Sequence, residues 1–176
     1  MIHILKLAHL YIDKLNTVYR TIIYKEKYKF YNFDNYWNYT IKLSDDSWNS
    51  LEFVSVNKED EVIGFFRASI SRSADKISGL GIINFYDKNI TFSKDLFQFL
   101  SELFIVHNFR KIEFNVVVGN PAELMYDKYI KKYNGRIIGI EKESTKLQDG
   151  KYCDVKYYEI FRDDYLKTKE KESIKI

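Results

Sequence analysis

One proline, one cysteine, two methionines, two tryptophans, three histidines and seven glycines are all that 176 residues contain of these types, and each shortage closes off a class of protein. Cys153 has no partner for an internal disulfide, so the chain is expected to work in a reducing, cytoplasmic compartment. Nor does it have a catalytic setting. His3, His9 and His107 show no spacing suited to a nucleophile–base pair or to a metal ligand set, which leaves Cys153 as a buried strand residue and predicts no metal. No segment approaches the run of about 20 apolar residues that crosses a bilayer. The first residues also lack the basic head, apolar stretch and small-residue cleavage site of a secretory leader, so neither a membrane nor an export role is expected. Charge of one sign is scarce as well: 28 Lys and Arg against 25 Asp and Glu give +3, mixed along the chain, which argues against a polyanion such as nucleic acid as partner.

What the chain does have is enough apolar residues, 45% against 30% charged, to bury one core. This predicts a single domain over residues 1–166, with 167–176 as a charged, frayed tail. Fifteen Tyr and thirteen Phe accompany many Lys, Ile and Asn, the bias of AT-rich coding. A base-stacking surface would instead interleave its aromatics with a concentrated basic patch.

Periodicity predicts a mixed α/β unit. Residues 1–7 suit a short strand, and 9–27 carry Leu10, Leu15, Val18, Tyr19, Ile22 and Ile23 at near-helical spacing. Residues 28–48 read two ways: a second helix from Asp34, with Asp34 as its N-cap, or a loop over the mouth of a site. Strands follow at 51–56 and 61–71, joined by a polar turn at Lys58, Glu59 and Asp60, and again at 76–86. A helix over 93–108 places Leu96, Phe97, Leu100, Leu103 and Phe104 on one side, with His107 near its end. A last antiparallel pair, 136–143 and 152–161, turns around Asp149 and Gly150.

Between them lies the most informative stretch. Ile112, Phe114, Val116 and Val118 alternate with Glu113, Asn115 and Val117 in a strand that ends in Gly119, Asn120, Pro121 and Ala122. Asn120 suits a helix N-cap, Pro121 the first helical position and Glu123 the third, as in a capping box, with Tyr126 about two turns in.

These residues resemble the last conserved motif of the GNAT-type N-acyltransferases: Asn120, Pro121, Ala122, Tyr126, Asp127, Lys128 and Gly135 follow its order, and residues 129–134 insert roughly one extra helical turn. Gly139, Asp149, Gly150, Tyr152, Asp154, Tyr158 and Tyr165 resemble the terminal hairpin of the branch that acetylates ribosomal-protein N-termini and polyamines. The likeness covers residues 51–165 better than 1–50.

The resemblance implies a mostly antiparallel central sheet, flanked by helices and splayed between two strands, here 76–86 and 111–118. A bulge opens them, and their backbone takes the pantetheine arm of acetyl-CoA as a false strand. Asn84, Phe85 and Tyr86 at the strand end, the loop residues Lys88, Thr91 and Ser93, and Asn120 would then contact the co-substrate. Its pyrophosphate would sit at the N-terminus of the helix starting near Ser93. The family's loop carries glycines where Thr91 and Ser93 stand, and their Cβ atoms crowd that space. The alternative is a plain helix start with Thr91 or Ser93 as cap and Asp95 in the first turn.

By the same resemblance Tyr126 is the acid that protonates the departing thiolate; a phenol of pKa about 10 suits a thiol of about 8.5. The competing reading packs its ring between helix and sheet. Many relatives carry a glutamate base where Asn115 stands, which leaves Glu113 through a water, or Asp87, as candidates against a role as solvated edge charges. The implied function is transfer of acetyl from acetyl-CoA to a primary amine of a small molecule or protein. The alternative is a non-catalytic GNAT-like interaction module, of the kind a phage or mobile element carries. The acceptor is not legible: Asp34, Asp45 and Asp46 suit a cation or a turn equally. The terminal hairpin offers an edge for a homodimer.

Overall fold

The computed structural model describes residues 5–30, 39–147 and 149–174, so the start of the helix expected from Asp34 lies outside the described residues, and residues 39–48 carry no helix. The strands are β1 (Lys6–Leu7), β2 (Ser50–Val56), β3 (Val62–Ser71), β4 (Lys76–Asn84), β5 (Lys111–Val117), β6 (Arg136–Lys146) and β7 (Tyr152–Phe161). The helices are α1 (Ile12–Ile22), α2 (Ile90–Ile105), α3 (Ala122–Lys132) and α4 (Arg162–Ser173). Among the described residues these strands form one sheet in the order β1-β2-β3-β4-β5-β7-β6, antiparallel at every pairing except β4 with β5. This is the mixed, mostly antiparallel α/β architecture the sequence predicts.

Alternation along β3 explains how the sheet is covered on both faces. Phe66, Ala68 and Ile70 point to one side, where Phe66 stacks on Phe92 (5.1 Å) and Phe99 (5.3 Å) of α2 in a core that also takes Tyr129 of α3 and Tyr165 of α4. Val62 and Phe65 point to the other, into a core with Leu15, Tyr19 and Ile22 of α1. Each fully buried large side chain contributes about 1.5–3 kcal/mol.

Several boundaries differ from the sequence reading. Residues 8–11 form a 3-10 turn before α1 begins at Ile12. α2 starts at Ile90 rather than near Ser93, because the Asn89 side chain accepts the N–H of Phe92 (3.1 Å). Neither Thr91 nor Ser93 is therefore the cap, and Asp95 falls in the second turn, buried, where it accepts the Ser55 hydroxyl. β4 ends at Asn84, which puts Phe85 and Tyr86 beyond the strand. Cys153 lies on β7, half-buried.

The segment expected to fray is helical as far as Ser173. Asp163 and Asp164 occupy the first turn of α4 and Lys171 the last, matching the helix dipole. Tyr165 is buried between Phe104 (4.7 Å) and Tyr133 (4.6 Å), and Glu172 pairs with Lys132 (2.8 Å). At the opposite side of the sheet from β1, β6 is an edge strand with Ile137, Ile138 and Ile140 exposed. Its register against β7 breaks twice, between Ile137 and Gly139 and between Glu141 and Thr145, with Glu143 at φ 51°.

Gly64 of β3 lies directly under the Phe92 ring, and a Cβ there would fall 2.2 Å from it, whereas one at Gly79 of β4 would meet nothing within 4 Å. Gly64→Ala is expected to destabilise the fold by about 1–3 kcal/mol in urea titrations, and Gly79→Ala by less than about 0.5 kcal/mol.

Candidate active site

β4 and β5 pair at two positions only, Lys76 with Lys111 and Ile77 with Ile112. The β3–β4 register explains why they part: Ser69 faces Gly79 and Ile70 faces Ile77, so Ser78 is an extra residue on β4. A bulge bends its strand, and this one sits immediately after the last β4–β5 pair. From there β4 is held by β3 alone and β5 by β7 alone, leaving their facing backbone edges across a gap.

A cavity of about 950 Å³ opens at that gap. Residues from both faces of the sheet line it: Phe92, Ser93, Met125 and Tyr126 on the side of α2 and α3, and Tyr28, Arg67 and Tyr157 on the side of α1. The cleft therefore passes through the sheet, with one mouth on each face.

The turn from β5 into α3 is fixed by polar contacts. Gly119 has φ +86°, a left-handed conformation that suits glycine. Asn120 accepts the Ala122 N–H on its side-chain oxygen (2.9 Å) and the Glu123 N–H on its carbonyl (2.9 Å). Glu123 accepts the Gly119 N–H (3.0 Å), one residue earlier than a capping box would have it, and Pro121 is already helical at φ −53°. One turn on, Tyr126 is half-buried, edge-on to Phe114 (5.1 Å) and Tyr158 (6.1 Å). Its ring packs between helix and sheet, and it lines the cleft as well.

A charge cluster that the sequence reading missed holds α3 on β7. The Lys156 ammonium donates to Asp127 (2.8 and 3.0 Å) and to Glu123 (3.1 Å), while the Tyr158 hydroxyl donates to the same Asp127 carboxylate (2.9 Å). The hydrogen bond from Lys156 holds the Asp127 carboxyl below its usual range, and Asp127 in turn raises Lys156. Burial, and then Asp127, push the Tyr158 phenol up. Lys156 is one of three charged residues in 152–161, with Asp154 and Glu159, and nothing near it in the sequence marks it out.

The candidates named from sequence divide between cleft and surroundings. Asn84, Ser93, Asn120 and Tyr126 line the cleft. Phe85 does not; it is buried in the α1-side core, and its carbonyl and that of Asn84 accept the Tyr28 hydroxyl (3.1 and 3.0 Å). Tyr86, Lys88 and Thr91 lie outside the lining, with Tyr86 and Lys88 exposed, and Ser93 donates its hydroxyl back to the Asn89 carbonyl (3.1 Å). Glu113 is not brought to the cleft either. It sits at the closed end of the gap between Lys76 (2.5 Å) and Lys111; burial works against its charge, but the two ammonium groups prevail and keep its carboxyl below the usual range. Asp87 does line the cleft, paired with Lys27 (3.1 Å). Among the described residues no group of three or more His, Cys, Asp or Glu is placed to hold a metal, and no helix is long and apolar enough to cross a membrane.

The depressed Asp127 carboxyl stabilises the fold only while ionised, so its contribution is present above the ordinary value of 3.8 and fades as pH falls through the lower folded value. Asp127→Asn is expected to cost about 1 kcal/mol at pH near 7 and close to nothing at pH near 2, checked by urea midpoints at both.

No family model matches the sequence, and no curated protein does. The structure, however, matches solved structures. Spermidine/spermine N-acetyltransferase SpeG from Vibrio cholerae superposes with a TM-score of 0.58 at 22% identity over 69% of this chain and 70% of that one. A chimera of Vibrio cholerae SpeG and hSSAT gives 0.67 at 18% identity over 93% of this chain and 98% of that one. At these identities the likeness is one of fold, that of the GNAT-type acetyltransferases.

Proposed function

We propose that this chain, folded as the GNAT-type acetyltransferases are, transfers an acetyl group from acetyl-CoA to a primary amine of a small molecule or protein. The observation that carries the reading is the through-sheet cleft at the β4–β5 gap with Tyr126 on its wall. The free edge of β4 presents N–H and C=O groups at strand spacing, which suits an extended pantetheine arm. A backbone N–H there polarises the thioester carbonyl. At the far end the start of α2 offers the N–H groups of Ile90 and Thr91, the helix dipole and the nearby Lys88 to the pyrophosphate.

The acceptor nitrogen, arriving neutral, attacks the carbonyl carbon. The C–N bond forms as the C–S bond breaks, Tyr126 gives its proton to the leaving thiolate, and the proton shed by the new amide nitrogen passes to solvent and back to the phenol. Glu113, tied to two lysines away from the cleft, takes no part in this scheme.

The Asn89 cap favours a second reading. It occupies the Phe92 N–H, and no glycine stands between Lys88 and Ser93, as in a scaffold that kept the sheet and gave up the phosphate loop. Calorimetric titration with acetyl-CoA separates the two. Micromolar binding is expected, with Tyr126→Phe leaving the Kd within about twofold and lowering kcat for thiol release by about 10²–10⁴. A folded protein that does not bind at millimolar acetyl-CoA overturns the enzyme reading in favour of the interaction module.

A further inference from the structure

We infer that the acceptor mouth of the cleft takes an amine that also carries an anion, a carboxylate or a phosphate, and not a polycation such as spermidine. The inference rests on the acetyltransferase reading above. Among the described residues, the ionisable side chains lining the cleft on the α1 side are Lys27, Lys42, Arg67 and Asp87, apart from the tyrosine phenols. Asp87 is the one carboxylate in that set, and Lys27 already bridges it. A polyamine needs carboxylates spaced along its path, and this side of the cleft offers it one, already bridged, beside three cations. The nearby Glu141 is held by the Tyr157 hydroxyl (2.8 Å).

Arg67 is prepared for an anion. Its Nε donates to one oxygen of Glu52 (2.6 Å), Nη2 lies within ion-pair distance of the same oxygen (2.6 Å), and Nη2 donates to the Lys42 carbonyl, which fixes the guanidinium plane. Glu52 is buried behind it, with its second oxygen taken by the Ser44 N–H (2.9 Å). Nη1 has no partner among the described residues, and neither has the exposed ammonium of Lys42, which also lines the cleft. A guanidinium held on one edge and open on another is suited to receive a carboxylate or phosphate oxygen.

The ground between Arg67 and the gap is clear. Arg67 pairs across the sheet with Gly81, and Ser69 with Gly79, so β4 presents two glycines on this face, and a Cβ at Gly79 would touch nothing. Neighbouring strands lie about 4.8 Å apart. An anion on Arg67 therefore leaves an amine only a few bonds away over the edge of β4, where the thioester is expected.

Titration calorimetry on the whole chain tests this with three probes: 4-aminobutyrate, 2-aminoethyl phosphate and spermidine. At least one anionic amine is expected to bind tenfold or more tightly than spermidine, and the better of the two identifies carboxylate or phosphate as the anion. Lys42→Gln, on an exposed side chain, and Arg67→Lys, which keeps a cation beside Glu52 but removes the fork, are each expected to raise that Kd about fivefold or more. Tighter binding of spermidine, or an anionic-amine Kd that stays within twofold in both variants, overturns the inference. Because these probes bind without turnover, the result stands apart from acetyl-CoA binding, whose failure would remove only the acetyltransferase reading.

Discussion

Two residue pairs hold β4 to β5, and the existence of a cleft depends on the pairing stopping there. Parallel neighbours with apolar faces ordinarily continue side by side, since each further pair satisfies backbone groups that must otherwise be met by water or a ligand. Here the extra Ser78 turns β4 aside after Ile77. The closed end is then clamped by alternating charges across four strands: Lys76, Glu113, Lys111, Glu159 and Arg136 form one chain of ion pairs. The open end is kept apart by what packs on it, since α2 and α3 cover one face and α1 the other. The gap is therefore a property of the whole sheet and not of a loop.

The same economy of parts appears at α3. Glu123 uses one oxygen to accept the N–H of Gly119 and the other to meet Lys156, so the turn after β5 and the seat of the helix on β7 share a side chain. Tyr158 joins them from below: its hydroxyl meets Asp127 and its ring stacks on Phe114, against which Tyr126 rests. Tyr126 is thus placed by aromatic packing and by a charge cluster one residue along its own helix.

The sequence made the sheet legible where the signal was local. Alternation in residues 111–118 and the punctuation of Gly119, Asn120 and Pro121 gave the strand, the turn and the helix with Tyr126. It failed where two neighbours compete or where the partner is remote. Asn89, Thr91 and Ser93 all suit an N-cap, and the choice fell to Asn89 because Phe92 must reach Phe66 across Gly64. Glu113 looked like a base from its place beside Asn115, but Lys76 and Lys111 reach it only through the register of β4 against β5. Residues 167–173 look like a tail because their own composition is polar, and Tyr165 and Leu166, packed on the core, anchor the helix that contains them. Lys156 carries no local signal at all.

Strand β6 leaves three isoleucines wet along an outer edge, which invites sheets to grow from one molecule into the next. Its two register breaks and the left-handed Glu143 shorten the straight stretch on which a foreign strand could align, and the charged run Glu141, Lys142, Glu143 follows directly after the apolar one. An unbroken apolar edge would offer a longer template for polymerisation, and the irregularities that look like flaws in the hairpin interrupt it.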